Sequence, residues 1–280
     1  MLKLKQTPDY TWQIPMTAGE TWLFGPDQHN APKDDPNGGV DPAAQSCMLQ
    51  AAELVKPDGY GDLGDIGEWS SVSPWKYKRR ARPSLSRTVD ALYADLEAVS
   101  RAQDLVDSSL AVAGCKKKVQ FQGNHEVWID NMLEEWRDEL GRLMDPGMTT
   151  ERLLRLKERG YAYVPYGDYA SLGKLYIYHG GHFGGENHAQ AHVRNLSASV
   201  LYAHHHSYQV AKRALLGKGV HAAWCIGFLG KPRKPFLKGR PTNWSHNFAI
   251  VHVEKGGTFH VEPIEIFDGV CYVYGKKVVG

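Results

Sequence analysis

Short apolar runs that stop abruptly at glycine, proline or aspartate alternate along this chain with longer stretches whose apolar residues return every third or fourth position. The first pattern predicts strands and the second amphipathic helices. Residues 20–26 (Glu-Thr-Trp-Leu-Phe-Gly-Pro) form one such run, and Asp27 and His29 stand just beyond it. A polar loop over 30–41, rich in glycine and proline, leads to a predicted helix over 42–55 with Pro42 at its first turn. Residues 58–63 are weak strand material before Gly64-Asp65. Over 86–110, Val89, Leu92, Leu96 and Val99 recur at helical spacing and predict a long amphipathic helix, followed by a strand over 115–121. A second helix after Gly123 carries Val127, Ile129, Met132, Leu133, Trp136 and Leu140 and is expected to stop before Asp145-Pro146-Gly147. Strands follow at 175–178, ending at His179, and at 199–202, just before His204-His205-His206. Late strands are expected near 248–253, 258–266 and 270–273. The pattern is mixed α and β without internal repeats. It predicts one domain over 1–280, with a helical and basic insertion around 70–114.

Composition narrows the function classes. With 280 residues, 42% hydrophobic and 23% charged, the chain is long enough for one well-buried α/β core. No apolar run approaches the ~20 residues of a membrane span, and no apolar stretch follows the basic N-terminus, so a cytosolic location without membrane association is expected. Cys47, Cys115, Cys225 and Cys271 are widely scattered, which reads as free thiols rather than a disulfide framework. A net charge of +2 does not by itself announce a nucleic-acid partner. Thirteen histidines are the unusual feature, and their placement matters more than their number.

Five places put Asp, Asn or His just past an apolar run: Asp27-Gln28-His29, Gly64-Asp65, Gly123-Asn124-His125-Glu126, His179-Gly180 and His204-His205-His206. Strand ends along one sheet edge bring distant segments together, and active sites gather there. A lone D-x-H, a Gly-Asp turn or a single histidine says little. In this order, however, the five segments resemble the calcineurin-like metallophosphoesterases, whose motifs read D-x-H, G-D, G-N-H-E/D, H and G-H-x-H. The resemblance covers most of the chain, residues 27–206, and the layout is most similar to small bacterial and phage members.

That resemblance implies a four-layer α/β/β/α sandwich of two mixed sheets and a pair of divalent cations. Asp27, His29 and His206 would bind one ion and Asn124, His179 and His204 the other, with Asp65 bridging both. Carboxylate, imidazole and amide ligands together suit Mn, and next Fe or Zn, at a separation of ~3.5–4 Å. His125 would stay off the metals and protonate the leaving oxygen. The implied reaction is metal-assisted hydrolysis of a phosphate ester, with a phosphodiester preferred over a protein or nucleotide phosphomonoester. A non-catalytic binding scaffold on the same fold is the alternative of another class, and the full ligand set with His125 argues against it.

Some residues depart from the pattern. Ala203 stands where the family has glycine, which is tolerable if its φ is negative. His205 lies between two proposed ligands; in an extended segment it points to the opposite side. Gly61-Asp62 competes with Gly64-Asp65, and the apolar Leu63 together with Ile66-Gly67-Glu68-Trp69 favours Asp65. His182, His188 and His192 read as structural, and Gly180, Gly181, Gly184 and Gly185 as flexibility. Trp244 and His246 face either the site or the strand packing. The stretch 75–82 mixes Trp75 and Tyr77 with Lys76, Lys78, Arg79, Arg80 and Arg82, a combination that suits a nucleic-acid partner.

Overall fold

The computed structural model describes residues 1–280 apart from 9, 10, 79, 80, 141–144, 146, 147 and 218. The chain opens with β1 (Lys5–Gln6), β2 (Thr11–Gln13), β3 (Glu20–Gly25), α1 (Pro42–Val55) and β4 (Gly59–Asp62). Next come α2 (Leu85–Ala113), β5 (Lys117–Phe121), α3 (Asn124–Glu135), α4 (Arg137–Leu140), α5 (Thr150–Leu153) and α6 (Leu156–Arg159). Then follow β6 (Tyr161–Val164), β7 (Tyr169–Leu172), β8 (Leu175–Ile177), α7 (His188–Leu196) and β9 (Ser199–Tyr202). The hairpin β10 (Gln209–Leu215) and β11 (Gly219–Cys225) precedes β12 (His246–Val253), β13 (Phe259–Ile266), β14 (Val270–Val273) and β15 (Lys276–Val279).

One sheet has the order β13-β12-β3-β4-β5-β6, parallel from β3 to β6 and antiparallel at β12 and β13. The other, β1-β2-β7-β8-β9-β11-β10, is also mixed, with β8, β9 and β11 parallel at its centre. The two sheets pack face to face: Trp22, Phe24, Val119 and Phe121 of the first meet Leu172, Leu175, Ile177 and Leu201 of the second. Outside the first sheet, α1, α2 and α3 lay Met48, Leu92, Val99 and Ile129 over Leu23, Tyr60, Phe248 and Ile250. Outside the second, α7 places Ala189 and Val193 against Tyr178, Val200 and Tyr202. The layers are therefore α/β/β/α, the order that the family resemblance implied, and each of these buried apolar side chains contributes ~1.5–3 kcal/mol.

Several elements follow from local chemistry. The α1 helix starts where Asp41 accepts from the backbone N–H of Ala43 and Ala44 at 3.1 and 3.0 Å, with Pro42 at its first position. The strand signal at β4 is weak because its sequence is Gly-Tyr-Gly-Asp. A Cβ on Gly59 would lie 2.4 Å from the Trp22 ring, and one on Gly61 2.3 Å from the Phe24 ring. The glycines thus make room for the aromatics of β3, and a sequence that looks like a loop sits in the middle of the sheet. The stretch 70–114 carries α2, the crossover between the parallel strands β4 and β5, which buries Val89, Leu92, Val99, Val106 and Leu110. The second helix ends at Glu135 and is followed by the short α4 after a break at Trp136.

Candidate metal centre

All five motif segments leave the carboxyl ends of strands. Asp27 and His29 follow β3, Asp65 follows β4, and Asn124 and His125 open α3 directly after β5; from the other sheet, His179 follows β8 and His204 and His206 follow β9. Five of these residues have left-handed backbone: Asp27 (φ 27°), His29 (51°), Asp65 (49°), His204 (69°) and His206 (60°). Such φ values are uncommon outside glycine, and their clustering marks a built site.

The expectation of an extended segment at 204–206 is wrong. Two left-handed residues bend the chain there, and the bends rather than strand alternation turn His205 away. Its ring stacks on His188 (3.9 Å, 17°), and its Nε2 lies 3.1 Å from the Phe183 carbonyl. Ala203 has no positive φ, so it fits where a glycine was expected. Gly180 is a close-packing position rather than a hinge: its φ is 134° and a Cβ there would come within 2.8 Å of the Ala203 carbonyl. Gly184 and Gly185 do face open space.

Among the described residues ligand atoms gather into three groups: His29, Glu68 and His125 make one, and the other two share one carboxylate. Asp27, His29, Asp65 and His206 form the first of these two and Asp65, His179 and His204 the second, with all ligand atoms of a group within 4.8 Å of one another. Asn124 joins the second group, its Oδ1 2.6 Å from His204 Nδ1 and 3.0 Å from His179 Nε2. Asp62 lies elsewhere, accepting from Gln28 Nε2 (2.7 Å), Gln120 Nε2 (2.8 Å) and Gly64 N (3.0 Å).

The frame around Asp65 is tight. Glu126 accepts from the backbone N–H of Asp65 and Gly123, both at 2.8 Å, and from Trp69 Nε1 at 2.7 Å, while Asp65 Oδ1 accepts from His125 N at 2.8 Å. Burial and the Asp65 charge push Glu126 up to about 7. Gly123 cannot be replaced without moving this loop, because a Cβ would lie 2.2 Å from Asp65 N.

The protonation pattern favours a cation. His179 Nδ1 donates to the Leu63 carbonyl at 2.7 Å, so the neutral ring keeps its lone pair on Nε2, which faces Asn124 Oδ1, Asp65 Oδ2 (3.4 Å) and His204 Nδ1 (3.2 Å). That is a nest of acceptors. A proton can fill it: burial opposes charging His179, yet Asp65 and Asp27 outweigh burial and raise it to about 10. Burial holds His29 and His206 below the ordinary imidazole range and His204 at about 3, so their lone pairs are available. His29 Nε2 and His206 Nε2 face each other at 2.9 Å.

Asp27 gives the clearest test. Its Oδ2 accepts from His204 N at 2.7 Å, but its Oδ1 is buried without a hydrogen-bond partner among the described residues; the closest imidazole nitrogen, His179 Nδ1, is 3.8 Å away and already donates elsewhere. Burial, with the Asp65 charge nearby, holds the Asp27 carboxyl well above the usual carboxylate range, so its charged form is costly there, and a cation removes the cost. The donor set therefore fits a pair of divalent metals.

His125 borders this centre with its Nδ1 donating to the Glu68 carbonyl at 2.9 Å and its ring packed on Trp128 at 3.9 Å. Two residues here escaped the sequence. Glu68 Oε2 lies 3.2 Å from His29 Nδ1 and 3.1 Å from Lys234 Nζ. Burial opposes its charge, but His29 and Lys234 hold Glu68 down at about 2. Glu68 had a signal in its position three residues after Asp65; Lys234 had none. Trp244 does face the site, edge-on to His206 at 4.7 Å, whereas His246 reaches the Gly230 carbonyl at 2.9 Å. His182, His188 and His192 lie outside all three groups. Of the basic stretch, Lys76 lines the cavity next to the centre, Arg82 pairs with Glu135 at 2.8 Å, Lys78 lies over the Trp75 ring, and Arg79 and Arg80 fall outside the described residues. Among the described residues no helix is long and apolar enough to cross a membrane.

No protein-family model matches the chain, and no curated protein matches it in sequence. Among solved structures it is similar to the phosphoesterase Yfce from E. coli, with a TM-score of 0.41 and 15% identity over 88% of this chain and 100% of that one. It is also similar to Chaetomium thermophilum Vps29 (TM-score 0.38, 10% identity, 87% and 96% covered). A third is the purple acid phosphatase PPD1 from yellow lupin seeds (TM-score 0.39, 12% identity, 92% and 53% covered).

Proposed function

We propose that this chain is a dinuclear metal-dependent phosphoesterase that hydrolyses phosphodiesters. The observation that carries the reading is Asp65, one buried carboxylate shared by two groups of lone-pair donors that have too few protons to satisfy each other. Asp27, His29, Asp65 and His206 would hold one divalent cation and Asp65, Asn124, His179 and His204 a second, Mn first and Fe or Zn as alternatives. Bound there, the pair supplies Lewis acidity toward phosphoryl oxygens and a lowered pKa for water.

The chain's own residues do the rest. Glu68 favours the proton on His29 Nδ1 and so keeps Nε2 free as a donor, while Lys234 neutralises Glu68. The Glu68 carbonyl fixes His125 through Nδ1, which leaves Nε2 to hand a proton to the leaving oxygen. Glu126 and Gly123 lock the loop that presents Asp65. Lys76 supplies positive charge at the cavity beside the centre, and Lys78 lies over Trp75 of the same cavity, which supports a diester with a second phosphate nearby, as in nucleic acid.

The test is metal content of the purified protein, followed by assays on bis(4-nitrophenyl) phosphate and 4-nitrophenyl phosphate with added Mn. Two Mn per chain and faster diester turnover are expected. Faster monoester turnover would move the reading to a phosphomonoesterase, and metal binding without turnover on either substrate would make the chain a scaffold.

A further inference from the structure

We propose that the cavity beside the metal centre is a nucleoside pocket, in which the base of a nucleotidyl ester lies on tryptophan faces while its phosphate reaches His29, His125 and His206. The proposal rests on the phosphoesterase reading and names the substrate class for that site. The cavity has a volume of about 440 Å³ and is lined by those three histidines and by Trp75, Trp128, Phe236 and Trp244. That size lies within the ~300–1,000 Å³ over which pockets enclose a small ligand.

Two of the aromatics are fixed to the groups that surround the phosphate: Trp128 packs on His125 at 3.9 Å, and Trp244 meets His206 edge-on at 4.7 Å. The other two stand at the mouth with little cover, Trp75 69% and Phe236 56% exposed. A fold that buries Trp22 and Trp69 completely leaves these large rings exposed beside its metal centre, Trp75 under Lys78 and Phe236 edge-on to Trp244. Flat π surfaces next to a phosphate site suit a flat π ligand.

The polar lining selects among flat ligands. Ser70 and Ser73 line the same cavity and bring hydroxyl groups to it. A nucleobase carries donors and acceptors on its edge that can pair with them, whereas the ring of an aryl phosphate such as phosphotyrosine carries none. Lys76, at the same cavity, makes no ion pair among the described residues and can meet a neighbouring phosphate.

The test separates the base from the phosphate. Adenosine, ribose and phenol are titrated into metal-free protein and binding is read by tryptophan fluorescence; AMP and ribose 5-phosphate are then titrated into Mn-loaded protein. Adenosine should quench and bind at least about tenfold more tightly than ribose or phenol, the order of loss that one stacked base represents. Trp75→Ala and Phe236→Ala, both at exposed positions outside the core, should each weaken adenosine while Mn content stays the same; Ser73→Ala should weaken adenosine more than phenol. AMP should bind more tightly once Mn is present. Equal binding of adenosine and ribose, or phenol binding as tightly as adenosine, would overturn the pocket. Tight adenosine binding with no Mn uptake and no gain for AMP would keep the pocket and overturn the phosphoesterase reading instead.

Discussion

Asp62 and Asp65 are three residues apart and both 2% exposed, yet their neighbours give them different work. Amide and backbone N–H groups surround Asp62, whereas lone-pair donors surround Asp65. Asp65→Asn should therefore take Mn content from two per chain toward zero and abolish turnover, as metal analysis and assay will read. Asp62→Asn should keep its Mn and lower only the melting temperature, because the amide sets an N–H against donors that need an acceptor. At His125, His125→Gln should cost about 10²–10⁴-fold in rate on diesters with poor leaving groups and much less on 4-nitrophenolate, with Mn content unchanged. Equal losses on both kinds of ester would remove the acid role. This contrast depends on one contact, the Glu68 carbonyl at Nδ1, which orients a ring that has no place in the shared-carboxylate pair of metal groups.

The motif loops show what a sequence can and cannot tell about elements. Their order along the chain was readable because each follows a strand, and chain order at a sheet edge survives folding. Their backbone was not, since the left-handed turn at His204 is held by a contact from Asp27, which lies far away in sequence. The same holds for β4, where two glycines make room for Trp22 and Phe24, and for α7, half of whose buried face is His188 and His192 rather than apolar residues. Short strands such as β6 and β7 carry too few residues for any period to emerge. Two changes test these elements. His205→Ala should leave Mn content intact but lower stability by about 1 kcal/mol through the lost stack on His188 and the freed Phe183 carbonyl. Gly61→Ala should cost about 1–3 kcal/mol, because a methyl 2.3 Å from Phe24 must move a ring in the centre of the sandwich. Thermal or urea unfolding measures both.

The two outer layers of the molecule are unequal, and the difference makes its stability depend on pH. Among the described residues, α1, α2 and α3 cover the first sheet with an almost wholly apolar contact, while α7, whose inward face is partly histidine, covers the second. His192 is fully buried, stacked on Tyr202 at 3.8 Å, with Nδ1 donating to the His188 carbonyl at 2.7 Å and Nε2 2.5 Å from the Tyr178 hydroxyl. Burial lowers it from the ordinary 6.5 to about 4, and burial likewise lowers His188 to about 3. Both rings are therefore neutral in the folded chain. The unfolded chain takes up a proton at each as pH falls through about 6.5, whereas the folded chain does not until about 4 or below. At these two sites the unfolded state then binds more protons, so their contribution to stability is complete above pH 6.5 and declines toward pH 4. At about 1.4 kcal/mol per tenfold change in proton affinity, His192 alone accounts for about 3 kcal/mol over that window. His192→Phe keeps a ring against Tyr202 and removes the titration. It should lower stability at pH 8, where Tyr178 loses its partner, yet lose less than the wild type between pH 6.5 and 4.5. Parallel stability curves for the two proteins across that range, measured by urea unfolding, would mean that His192 is already protonated in the folded state and that the α7 layer does not set the acid limit of the fold.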